Sequence, residues 1–161
     1  MEPQNKLSSQ MEDYLEAIYL VCKGEGVARI KSVAGQLGVS YPSVVGALKN
    51  LKRRKLVQQE HYGYIRLTEE GQKIAGSVSH RHEVLAGFFM DVLGLDQETA
   101  SKDACKVEHD VSYETLQRLR AVAEFIAKNS QKYLNWKREF QRYYGAYKNK
   151  EKNNDHNTEL S

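Results

Sequence analysis

Cys105, Glu108 and His109 are spaced i, i+3, i+4, so on a helix all three project from one face. A thiolate, a carboxylate and an imidazole together make a donor set for a divalent transition metal: Fe(II), Mn(II), Co(II), Ni(II) or Zn(II). Asp13 and Glu16, at i and i+3, place two carboxylates on the polar face of a different helical segment, and His82 stands near the start of a third. Taken singly, each group also has a plainer reading as ordinary core or surface, and spacing does not bring the three segments together. Cys22 and Cys105 are too few for a disulfide framework, so reduced thiols are expected. There is no His-Glu-x-x-His helix, Gly-rich phosphate loop or Gly-x-Ser-x-Gly elbow, which turns the expectation away from an enzyme.

The elements that carry these residues follow from apolar periodicity. In residues 11–22, Met11, Tyr14, Leu15, Ile18, Tyr19 and Val21 recur near a 3.6-residue period, and Gly24 and Gly26 end the pattern. Residues 30–37 form a short second helix stopped by Gly38. Ser40 then caps a third, with Pro42 in its first turn and Val44, Val45, Leu48 and Leu51 along it. Two short helices around a Gly-Val-Ser turn make a helix-turn-helix. Residues 56–60 and 64–67 read as strands around His61-Tyr62-Gly63, a hairpin placed as a wing. Thr68 caps a helix that opens there, and residues 80–93 form a further amphipathic helix. Residues 96–110 supply one or two more, and residues 113–128 another. Beyond Asn129, Tyr133, Trp136, Phe140, Tyr143 or Tyr144, and Tyr147 recur at three- and four-residue steps among basic residues, and from Asn149 the polar composition predicts disorder. The expected fold is mainly α: a winged helix-turn-helix over residues 1–72, a helical domain over residues 73–130, and an aromatic and basic helix with a disordered tail over residues 131–161.

Hydrophobic residues make up 40% and charged residues 28% of the 161 residues, ordinary for a folded chain. No apolar run is long enough to cross a bilayer, and residues 1–10 lack the layout of a signal peptide. A cytoplasmic protein with no membrane partner is expected. Net charge is only +3, but it is unevenly placed. Residues 28–66 hold eight Lys and Arg against one acid, and residues 83–127 hold nine acids against four bases. A basic first half points to a polyanion partner at that end.

Several segments together resemble one family. Met11-Glu12-Asp13-Tyr14-Leu15-Glu16-Ala17-Ile18-Tyr19 is similar to the opening helix of the diphtheria toxin repressor (DtxR) and manganese transport regulator (MntR) family. So are Gly38-Val39-Ser40-Tyr41-Pro42-Ser43-Val44, Leu67-Thr68-Glu69-Glu70-Gly71, His80-Arg81-His82-Glu83-Val84-Leu85 and Ala104-Cys105-Lys106-Val107-Glu108-His109-Asp110-Val111-Ser112. The resemblance runs in unbroken order over about residues 11–128. It implies a winged helix followed by a helical metal-binding and dimerising domain, and a repressor that controls metal-homeostasis genes. Asp13, Glu16, His82, Cys105, Glu108 and His109 fall on the family's metal-ligand positions. Asp13 and Glu16 match manganese-type members and Cys105 matches iron-type members, so Fe(II) or Mn(II) is implied, with Zn(II), Co(II) or Ni(II) also accommodated. Ser101 and Ala86 depart from the ancillary ligands of iron-type members, and the chain ends before the place of their SH3-like third domain.

For DNA, the third helix is expected in the major groove. By correspondence with the family, Ser40, Pro42, Ser43 and Gly46 face base edges. Arg29, Lys49, Lys52, Arg53 and Arg54 are candidates for phosphate contacts, and His61 and Tyr62 sit at the wing tip, within reach of the minor groove or backbone. A homodimer implies a palindromic double-stranded operator. The rival readings are a metal-independent winged-helix regulator and a purely structural zinc site.

Overall fold

The computed structural model describes residues 7–60, 63–128 and 130–158. They form two compact units, Met1–His80 and Arg81–Ser161. In the first, α1 (Ser9–Glu25), α2 (Ile30–Leu37) and α3 (Tyr41–Arg53) precede β1 (Val57–Gln59) and β2 (Ile65–Leu67). The expected helix over residues 30–37 matches α2, and α1 is longer than its apolar pattern at both ends. Ser8 accepts from the Met11 amide at its start, and Gly26, at φ +79°, closes its end. Ser40 caps α3 as expected, accepting from the Ser43 amide, and Gly38 ends α2 in the left-handed region that glycine adopts without a Cβ penalty.

The strands pair antiparallel, with Val57 opposite Leu67 and Gln59 opposite Ile65, and Ala28 bridges to Ile65. Leu15, Ile18, Val33, Val44, Leu51 and Ile65 are fully buried in one core. Each such side chain contributes about 1.5–3 kcal/mol relative to exposure. The periodicity therefore works as read: the inward residues of three helices meet over the base of the hairpin.

α4 (Glu69–Asp91) is one continuous helix, where the sequence suggested separate helices opening at Thr68 and at His80. Gly76, Ser77 and Ser79 are weak helix formers, but none of them removes a backbone donor, so the ladder runs through. Its start is locked to the end of α3. The Thr68 hydroxyl donates to the Lys55 carbonyl (2.8 Å) and accepts from the Gly71 amide (3.1 Å), while the Thr68 amide donates to the Leu56 carbonyl (3.0 Å). Gly71 is buried so closely that a Cβ there would stand 2.0 Å from the Leu56 carbonyl oxygen.

In the second unit, α5 (Gln97–Val107), α6 (Tyr113–Ala127) and α7 (Ser130–Thr158) follow α4. Asp96 caps α5 through the amide and hydroxyl of Thr99, contacts that hold its carboxyl below the usual range. Ser112 caps α6 in the same manner. Leu85, Ala86, Ala104 and Leu116 form this unit's buried cluster, with Val84, Phe89, Val111 and Leu119 packed against it. α7 stays helical to Thr158, past the point at Asn149 where composition predicts loss of order.

Two glycines in α4 make a controlled comparison. Gly76→Ala meets nothing within 4 Å and should stabilise the protein by about 0.5–1 kcal/mol through helix propensity. Gly71→Ala has the same propensity gain but forces the Leu56 backbone away. It should destabilise by about 1–3 kcal/mol net in chemical denaturation; equal effects at the two positions would refute the close approach.

Candidate metal centre and nucleic-acid surface

In the second unit, His82 on α4 faces the residues that end α5. Glu108 is the C-cap of α5 and retains helical angles, its amide donating to the Ala104 carbonyl. The Asp110 and Val111 amides then both donate to the Val107 carbonyl, turning the chain sharply. Val111 packs on the buried cluster, so this turn holds Glu108 inward.

Glu108 is fully buried. Its Oε2 lies 2.8 Å from His82 Nδ1. Its Oε1 has no hydrogen-bond partner; His109 Nε2 lies 3.5 Å away, within charge-pair reach but outside hydrogen-bond geometry. The second ring nitrogen of His82 is 3.2 Å from the Ser101 hydroxyl. A buried carboxylate flanked by two imidazoles, with one oxygen left without a donor, is a costly arrangement for a protein alone. The donor types suit a divalent transition metal.

The remaining candidates divide by position. Cys105 lies one turn before Glu108 but is exposed, so the expected common face carries one solvent-facing and one buried group. The helix edge falls between them. Asp13 and Glu16 are half-buried on α1, one turn apart, in the first unit. Cys22 is separate from this chemistry: its Sγ donates to the Ile65 carbonyl, and burial pushes its thiol up, keeping it protonated at neutral pH. Sequence reasoning counted Ser101 as a lost ancillary position and missed its contact with His82. The available signal was its spacing, four residues before Cys105 and seven before Glu108.

On the first unit, α3 buries Val44, Ala47, Leu48 and Leu51 and exposes Ser40, Pro42, Ser43, Gly46, Lys49, Lys52 and Arg53. The hydroxyls of Ser40 and Ser43 are hydrogen-bonded to each other at 2.8 Å. Tyr41 is also exposed on this helix, apolar surface that the sequence reading left out, and Val45, expected in the helix's apolar pattern, is exposed too because it lies outside the buried stripe of Val44, Ala47, Leu48 and Leu51. Lys52 donates to Gln59 on β1, Arg54 to Asn50 (3.2 Å), and Arg66 pairs with Glu60 (2.8 Å). Arg29 donates to the Tyr64 hydroxyl (2.9 Å) and lies 4.9 Å from its ring centroid, so Tyr64 orients a cation at the loop end of the hairpin. His61 and Tyr62 lie outside the described residues.

Known proteins share this combination. Residues 6–65 match the iron dependent repressor N-terminal DNA binding domain, and residues 68–135 match the iron dependent repressor metal binding and dimerisation domain. An uncharacterised HTH-type transcriptional regulator of Methanocaldococcus jannaschii is 40% identical over 120 residues, 73% of this chain and 95% of that protein. The HTH-type transcriptional regulator MntR of Shouchella clausii is 33% identical over 119 residues, 74% of this chain and 82% of that protein. The chain belongs to the DtxR/MntR family of metal-dependent transcriptional repressors.

Its fold matches solved structures of that family. The manganese regulator SloR aligns with TM-score 0.64 and 29% identity, over 71% of this chain and 54% of that one. A manganese-dependent transcriptional repressor in complex with manganese aligns with TM-score 0.61 and 26% identity, over 71% and 53%. This chain thus spans about half the length of those two structures. Within the DtxR/MntR frame, α1 to β2 are the DNA-binding domain and α4 to α6 the metal-binding and dimerisation domain. Most of α7 lies beyond both matched segments.

Gly46 gives a direct test of the DNA-facing side. A Cβ there meets nothing within 4 Å, so no internal contact requires glycine in mid-helix. Gly46→Leu should stabilise the free protein by about 0.5–1 kcal/mol and weaken operator binding by at least about tenfold, read by denaturation and by fluorescence anisotropy on labelled duplex. A stability gain with unchanged affinity would remove Gly46 from the interface.

Proposed function

We propose that this chain represses transcription as a homodimer on a palindromic operator, with its DNA affinity set by Fe(II) or Mn(II) held by Asp13, Glu16, His82, Cys105, Glu108 and His109. Glu108 carries the reading. A buried carboxylate oxygen without a donor, beside two imidazoles, calls for a cation, and family membership supplies the class. A bound divalent ion supplies positive charge that neutralises the carboxylates and fixes the donors' directions. The Cys105 thiolate favours Fe(II) or Zn(II), and the carboxylates of Asp13 and Glu16 favour Mn(II). Ser101, accepting from His82 Nε2, would leave the Nδ1 lone pair on the Glu108 side, the usual role of a group behind a ligating histidine.

On DNA, Ser40, Pro42, Ser43 and Gly46 present small groups suited to thymine methyls and groove shape. Arg29, Lys49, Lys52 and Arg53 act on the phosphate backbone and make binding fall with salt, and His61 and Tyr62, between the two strands in sequence, reach the minor groove or the backbone. Asp13 and Glu16 belong to the DNA-binding domain and the other ligands to the dimerisation domain. Joint ligation would restrict the freedom that docking both recognition helices must otherwise remove. The reading assigns no catalysed reaction. It places the protein in the cytoplasm, where metal and DNA are both met. No helix among the described residues is long and apolar enough to cross a membrane.

The test is operator binding by metal-stripped protein, with Mn(II), Fe(II) under anaerobic conditions and Zn(II) returned separately. A coupling of about 1–3 kcal/mol predicts a roughly 5–150-fold gain in affinity, lost on chelation while the protein stays folded. Affinity indifferent to every metal would leave a metal-independent regulator, and unfolding on chelation would make the ion structural.

Ser101 tests the ligand set separately. Ser101→Ala should weaken metal binding by about 10–100-fold by calorimetry, leaving operator affinity at saturating metal unchanged; Ser101→Thr should restore it. Unaltered metal affinity in Ser101→Ala would separate this hydroxyl from the metal centre.

A further inference from the structure

The cations of the two units are held in different ways. In the second unit, all four Lys and Arg of residues 83–127 pair with a carboxylate of their own helix: Lys102 with Glu98, Lys106 with Asp103, Arg118 with Glu114 and Arg120 with Glu124. In the first unit, Arg29 at the start of α2 and Lys52 near the end of α3 are exposed and held by uncharged groups of the hairpin. Arg29 donates from Nη2 to the Tyr64 hydroxyl (2.9 Å), with its guanidinium 4.9 Å from the ring centroid. Lys52 donates to Gln59 Oε1 on β1. Glu60 is the single acid of residues 28–66, and it pairs with Arg66 of the hairpin itself (2.8 Å). Among the described residues, neither Arg29 nor Lys52 is paired with a carboxylate.

The backbone fixes this arrangement. The Ile65 amide donates to the Ala28 carbonyl (2.8 Å) and the Ala28 amide to the Ile65 carbonyl (3.4 Å), and both residues are fully buried. Arg29 follows Ala28 and Tyr64 precedes Ile65, so the bridge brings cation and ring together. Gln59 lies opposite Ile65 in the strand register, and the Glu60 amide donates to the Tyr64 carbonyl (2.8 Å). Both acceptors therefore sit at the loop end of one short hairpin, and each reaches a cation on a different helix. Charge decides what such an arrangement can do. A carboxylate would also hold an arginine or a lysine, but it would cancel the charge that draws a phosphate. A phenol or carboxamide oxygen accepts a hydrogen bond and leaves the charge whole. The remaining N–H groups of Arg29 and Lys52 stay available for phosphate oxygens.

We propose that Tyr64 and Gln59 are positioning residues for DNA binding: the hairpin aims Arg29 and Lys52 at backbone phosphates through neutral acceptors, so both cations are fixed and neither is neutralised. The proposal rests on the reading of Arg29 and Lys52 as phosphate contacts. A long side chain ordered before binding spares the cost of ordering it on the DNA, about 2–10-fold in affinity for each side chain so held. When both copies of a homodimer dock, the two contributions multiply to about 5–100-fold.

The test is a pair of double-mutant cycles on full-length, Mn(II)-loaded protein, read by fluorescence anisotropy with a labelled operator duplex over a range of salt. Tyr64→Ala and Gln59→Ala should each weaken binding by about 5–100-fold. Neither should cost anything further once its cation is gone, in Arg29→Gln and Lys52→Gln respectively. Tyr64→Phe keeps the ring and the fold, and should fall between the unaltered protein and Tyr64→Ala while also being silent in Arg29→Gln. Gln59→Glu keeps the side chain's shape but gives Lys52 a carboxylate. It should flatten the plot of log affinity against log salt by about 0.9 for each chain. Full effects of the Tyr64 and Gln59 variants in the backgrounds lacking the cations overturn the proposal, since both residues would then act on DNA or on the fold directly. So do unchanged affinities in Tyr64→Phe, Tyr64→Ala and Gln59→Ala when Arg29→Gln and Lys52→Gln weaken binding. If Arg29→Gln and Lys52→Gln themselves leave affinity and salt dependence unchanged, the phosphate reading fails and takes the proposal with it, so the two failures are told apart.

Discussion

The buried carboxylate of Glu108 is the constraint around which the second unit is arranged. Leaving water costs a carboxylate several kcal/mol, and His82 and His109 stand beside it. The α5 cap, the turn through Asp110 and the packing of Val111 all hold Glu108 inward. A fold that sought stability alone would place an apolar residue there. Keeping a carboxylate with one oxygen lacking a donor makes sense when a cation belongs to the working state, and that dependence is what a metal sensor needs.

The first unit is organised by different means. Three short helices cannot bury much surface singly, so they share one core with the base of the hairpin. Thr68 and Gly71 secure the exit from the wing, one by hydrogen bonds and the other by the absence of a Cβ. The α3 face that remains outside combines Ser40, Ser43 and Gly46 with Tyr41 and Val45, is free of acids, and has cations towards its C-terminal end. It suits a groove lined by phosphates, where charge supplies affinity and shape supplies choice.

Electrostatic division links the two units' tasks. The basic stretch over residues 28–66 attracts a polyanion, and the acidic stretch over residues 83–127 attracts cations.

Periodicity and capping residues alone determined most of the architecture. Ser40, Gly38 and Thr68 mark their boundaries because caps act within a few residues of chain, and the hairpin is legible for the same reason. The donor types at Cys105, Glu108 and His109 were legible too, as chemistry. Their environments were not. That Glu108 is buried and Cys105 exposed depends on where the α5 edge meets α4. That Ser101 touches His82 depends on two helices packing side by side, and Tyr64 beneath Arg29 is set by the hairpin register. The continuity of α4 through Gly76 and Ser77 was likewise beyond local propensity, which differs by under about 1 kcal/mol per residue and yields to packing. Local signals fix where elements begin and end; burial and orphaned polar groups arise only when residues distant in sequence compete for the same volume.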